Sequence, residues 1–180
     1  MSEGSRLLIH LSTLLWVLGA LGFLVFSVWL SIVDLATRRL PNRLVGWGAA
    51  STLAPLAASG AVLLPTALRG SALEGLALML GGALGLFALF ALLWRFARGG
   101  IGGGDAKVAP LVGGALGFFG GVWAIVAAAV LACLIAAVWG FAVRRSGRAE
   151  RGVPFAPCLF GGAWLAIAAF PVVARLSAGG

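Results

Sequence analysis

The stretch LLIHLSTLLWVLGALGFLVFSVWLSIV, Leu7 to Val33, runs for 27 residues without an acidic or basic side chain other than His10. It ends in Asp34-Leu35-Ala36-Thr37-Arg38-Arg39. About 20 apolar residues suffice for one helical crossing of a bilayer. The run is too long for the apolar segment of a cleavable leader, and the two arginines follow it as stop-transfer charges. Five further apolar runs follow: about Leu44 to Leu68, Ser71 to Trp94, Val108 to Phe119, Gly121 to Val143 and Phe155 to Leu176. Pro55 and Pro65 interrupt the second, and the glycine-rich Gly99–Gly104 precedes the fourth. Each run is expected to be helical, because an open strand in lipid leaves backbone groups unpaired. The predicted fold is an all-α, polytopic membrane bundle of about six helices, with residues 1–180 forming one membrane-embedded domain.

Composition agrees. The 180 residues are 62% hydrophobic and 10% charged, against about 25% charged in an average soluble domain. The net charge of +8 would suggest nucleic acid in a soluble protein. Here the bases flank apolar runs, so they read as topology signals and contacts to anionic membrane lipid, with no nucleic acid as partner. With six crossings, one side receives Arg38, Arg39, Arg43, Arg95, Arg98, Lys107, Arg144, Arg145, Arg148 and Arg151, and the other Arg6, Arg69 and Arg175. The positive-inside rule makes the first side cytoplasmic and puts both termini outside. The fourth run is short for a span and is read as a crossing because a re-entrant segment would erase this asymmetry. The small-residue clusters Gly81-Gly82-Ala83, Gly85, Gly113-Gly114-Ala115 and Gly161-Gly162-Ala163 read as helix-packing seams.

Cys133 and Cys158 form no Cys-x-x-Cys pair and His10 is the single histidine, so neither a zinc knuckle nor a histidine-based site is expected; no metal and no cofactor are predicted. Of the five acids, Glu3, Glu74 and Glu150 lie where water reaches them. Asp34 ends the first run and Asp105 begins the fourth, at one predicted depth on the arginine-rich side. Acids in membrane segments are costly and tend to mark pathways or chemistry. Each has a plainer reading. Asp34 would pair with Arg38 one turn on, and Asp105 would cap a helix beginning near Ala106. Two carboxylates at one site also share a proton, so one activates water while the other protonates a leaving group. Gly102-Gly103-Gly104 before Asp105 would let a substrate backbone approach, or serve as a plain linker. Lys107 would favour ionised Asp105, or anchor at the interface. Pro41-Asn42 would break the chain after the first helix, with Asn42 capping the second.

These residues also carry a resemblance. Asp34-Leu-Ala-Thr-Arg-Arg-Leu-Pro-Asn42, Gly102-Gly-Gly-Asp-Ala-Lys107 and Val153-Pro-Phe-Ala-Pro157 resemble, in order, three motifs of the type IV prepilin peptidase family, membrane aspartyl peptidases with a Gly-x-Gly-Asp motif. The third departs from the family pattern in having Ala156 in place of glycine. The resemblance implies that Asp34 and Asp105 are catalytic. It implies a prepilin or pseudopilin precursor as partner, cleaved after a glycine at the cytoplasmic face of a bacterial inner membrane. Larger family members carry a cysteine-rich methyltransferase domain. This chain resembles the minimal, peptidase-only type, so no methyl transfer is expected. Two other classes fit the composition: a small proton- or cation-coupled transporter, and a non-catalytic pilus or secretion assembly factor.

Overall fold

The computed structural model describes residues 3–96, 103–145 and 154–178, from 170 onward by backbone alone. Five helices follow in order: α1 (Glu3–Thr37), α2 (Asn42–Leu63), α3 (Arg69–Phe96), α4 (Gly103–Arg145) and α5 (Phe155–Ala178). No strand occurs among the described residues. The protein is an all-α membrane bundle. By length and hydropathy α1, α3 and α4 qualify as spans, and 155–169 is a shorter apolar helix.

The expected six runs map onto five helices because runs four and five are joined in α4. They remain distinct segments. Gly121 has φ 66° and ψ −159°, a region that is essentially glycine-only. A Cβ added at Gly82 of α3 would meet both the Gly113 carbonyl and the Ile125 side chain. Twelve residues of straight helix would separate those two by about 18 Å. The chain therefore reverses at Gly121, and both halves of α4 lie beside α3. The first half, 103–120, is longer than the sequence suggested, about 27 Å at 1.5 Å per residue.

Neighbouring segments run antiparallel. Gly19 faces Leu56, Gly60 faces Leu76, Gly117 faces Leu78, and Gly162 faces Ala128 and Ala132. The up-and-down order gathers residues 34–43 and the starts of α4 and α5 at one end, together with the ends of α3 and α4. Arg38, Arg39, Arg43, Arg95, Lys107, Arg144 and Arg145 all lie there, against Arg6 and Arg69 at the other end among the described residues.

The α3–α4 seam is backbone on backbone: a methyl on Gly113 would strike the Gly82 carbonyl, and one on Gly117 the Leu78 carbonyl. Gly81 and Gly85, by contrast, have open space at their Cβ positions. They face away, so the seam reading holds for part of each cluster. The core between helices is built from Phe23, Leu30, Leu111, Leu116, Leu159 and their neighbours, while Leu14, Leu84, Trp123 and Val138 point outward. Outward apolar side chains are what lipid solvation requires.

Candidate active site

Asp34 and Asp105 are each 8% exposed, and they are the buried carboxylates among the described residues; Glu3 and Glu74 are exposed. Both lie at the arginine-rich end. Asp34 sits one turn from the end of α1. That end is closed by Arg38, whose φ is 53° and whose N–H donates to the Asp34 carbonyl at 2.9 Å. This is the left-handed C-terminal motif, made by a residue other than glycine at a cost of about 1–2 kcal/mol. The Thr37 hydroxyl donates to the Val33 carbonyl at 2.9 Å and accepts from the Arg39 N–H at 3.3 Å, fixing the turn.

Pro41 breaks the chain as expected, with extended φ and ψ, and its carbonyl accepts the first bond of α2 from Val45 at 3.1 Å. The capping role expected of Asn42 is corrected. Pro41 is the N-cap residue, Asn42 is the first residue inside α2, and no side chain caps the helix. The loop instead contributes Leu40, buried against the start of α4 and facing Gly104.

The start of α4 is also corrected. The helix begins at Gly103, so Gly103 and Gly104 are already in its first turn and Asp105 is its third residue rather than its cap. Gly102 lies outside the described residues, as does Val153 of the third motif. A carboxylate in the first turn still meets the positive end of the helix. Lys107, two residues on, is exposed.

The third stretch of sequence supplies what binds Asp34. Pro154 leads into α5, and the Ala156 N–H donates to Asp34 Oδ2 at 3.3 Å. Helix N-termini offer unpaired N–H groups and favour anions. Pro157, which has no N–H, fits where that group would otherwise be unsatisfied. Cys158, fully buried, lies within electrostatic reach of both Asp105 and Asp34, and its thiol donates to the Pro154 carbonyl at 3.6 Å. The start of α5 thus packs against Asp34. Phe90 of α3 meets Phe155 with ring centroids 5.6 Å apart and closes the site's apolar wall.

Ala156 and Cys158 were missed as site residues. The signal for Ala156 was the third motif itself, read only as the opening of a helix. Among the described residues no group of three or more His, Cys, Asp or Glu side chains is placed to hold a metal ion. What the arrangement offers is two buried carboxylates, each against the positive end of a helix, in a wall otherwise apolar.

A family model described as the type IV leader peptidase family matches residues 21–141, a stretch that takes in both aspartates. Neither the curated proteins nor the solved structures yield a match.

Proposed function

The chain belongs to the type IV leader peptidase family and is a peptidase, and from that premise we propose that it is a membrane aspartyl endopeptidase that removes the short leader from prepilin-like precursors, with Asp34 and Asp105 as its catalytic pair. The observation that carries this reading is the burial of these two carboxylates at one end of the bundle while the other described acids face outward. One carboxylate, ionised, takes a proton from water as the oxygen attacks the scissile carbonyl. The other, protonated, donates to the departing amine. The Ala156 N–H orients Asp34, which leaves its second oxygen for water.

The arginine-rich end is the cytoplasmic end by the positive-inside rule, so cleavage takes place at the inner membrane's cytoplasmic surface, and both termini lie on the far side. The substrate is a prepilin or pseudopilin, with a basic leader ending in glycine ahead of a hydrophobic helix. Gly103 and Gly104 add no side chain of their own beside Asp105.

The test is co-expression with such a precursor in membranes lacking other prepilin peptidases. Asp34→Asn and Asp105→Asn, at normal membrane abundance, are each expected to abolish the size shift of the precursor. Cleavage surviving either substitution removes that residue from catalysis and returns the scaffold and transporter readings to the front.

A further inference from the structure

Asp34 is held by a backbone N–H, and a backbone donor is aimed by placing its whole helix. Something must therefore set the rotation of α5 against α1. The two helices run antiparallel and meet at a second polar point. Trp164 Nε1–H donates to Ser27 Oγ at 2.9 Å, and Ser27 Oγ–H donates onward to the Leu24 carbonyl at 2.8 Å. Ser27 is 2% exposed. It lies seven residues before Asp34, and Trp164 lies eight residues after Ala156. Each interval is about two helical turns, so both polar points lie on the same pair of facing surfaces.

The other contacts nearby are aromatic. Phe23 meets Phe160 at 5.9 Å and Trp164 at 5.3 Å between ring centroids. Their interplanar angles are 60° and 42°, and such contacts set a rotation less sharply than a directed hydrogen bond does. The hydrogen bond from the half-buried Trp164 to the buried Ser27 hydroxyl sets it, because within lipid neither partner has water to turn to.

We propose that Trp164 and Ser27 are positioning residues: their hydrogen bond sets the rotation of α5 so that the Ala156 N–H stays on Asp34. The inference rests on reading Asp34 as a catalytic carboxylate. Neither residue touches substrate. Losing the bond leaves binding intact and disorders the acid–base pair, so the loss falls on kcat and spares KM.

The experiment measures kcat and KM for full-length protein in lipid nanodiscs. The probe is a fusion carrying a short basic leader that ends in glycine before a hydrophobic helix. Trp164→Phe deletes the N–H and keeps a ring, and Ser27→Ala deletes the acceptor. Each is expected to lower kcat about three- to tenfold, the range of a single inter-helix hydrogen bond in a membrane, with KM unchanged. The double variant should be no slower than the slower single one, because both remove the same bond. Ser12→Ala serves as control. Ser12 and Ser59 exchange buried hydroxyl–carbonyl hydrogen bonds of 3.0 Å between α1 and α2 at the opposite end. Breaking that link should leave kcat unchanged.

An unchanged kcat in both single variants, losses that multiply in the double, or an equal loss in Ser12→Ala would overturn the positioning role. Should Trp164→Phe fail to fold, Ser27→Ala carries the same comparison. Asp34→Asn in the same assay separates the two levels: if it still cleaves, the reading of the site itself falls.

Discussion

The α3–α4 seam and the α1–α5 seam solve the same problem with opposite means. Between α3 and α4 there are no side chains at the closest points: Gly82 and Gly113 bring two backbones together. Between α1 and α5 the contact is made of large side chains and directed bonds: Phe23, Phe160, Trp164, Ser27, and Asp34 on Ala156. Lipid tails are as apolar as leucine, so helix association draws on close packing and on hydrogen bonds rather than on escape from water. The first seam uses shape alone and admits no added atom. The second uses direction and sets an angle. The role proposed for Asp34 lies on the directed seam, where orientation matters most.

The largest effect should come from adding one methyl to the shape-based seam. Gly113→Ala meets the Gly82 carbonyl and the Leu86 side chain, and neither backbone can yield without parting the helices. The expected loss is about 3 kcal/mol or more, at the upper end for overpacking, read as loss of the folded band in thermal unfolding in detergent. A loss under 1 kcal/mol would mean that the seam is looser than described. On the other seam, Phe23→Ala removes the fully buried ring that touches Phe119, Phe160 and Trp164. It should cost about 3 kcal/mol in the same assay, since the cavity remains even where lipid weakens the transfer part. The smallest effect has the opposite sign. Gly81→Ala has open space at its Cβ and gains helix propensity, so stability should hold or rise by up to about 1 kcal/mol. Destabilisation there would show that the whole glycine cluster, not half of it, lies on the seam.

Gly81 and Gly82 also mark the limit of what sequence discloses. Both read as seam residues, and only the rotation of α3 tells them apart. That rotation follows from neighbours distant in the chain. Apolar runs were legible because lipid imposes them span by span: Leu7–Val33 became α1, and the boundary between Phe119 and Gly121 became the reversal in α4. The glycines before Asp105 misled in the usual direction for a helix breaker: Gly103 and Gly104 are helical, in a first turn where little helical bonding is at stake. Asn42 looked like a cap and is not one, because Pro41 takes that position. At the site, Asp34 and Asp105 stood out as acids where acids are costly, and both are buried at one end. The donor to Asp34 could not be read the same way, since a backbone N–H carries no residue identity. The same holds for Cys158, whose burial within electrostatic reach of both carboxylates follows from how α5 docks.

The reversal at Gly121 has a mechanical consequence. Two glycines make a turn with no slack, so neither half of α4 can leave the bilayer while its partner stays. Pulled by a force probe from the arginine-rich end, the segment from Gly103 to Arg145 should come out in a single step, releasing about 150 Å of extended chain at roughly 3.5 Å per residue. The connection between α2 and α3, residues 64–68, is longer and would let those two helices part in succession. The hinge that sequence marks only by a pair of glycines would thus appear as the longest single rupture in the extension trace.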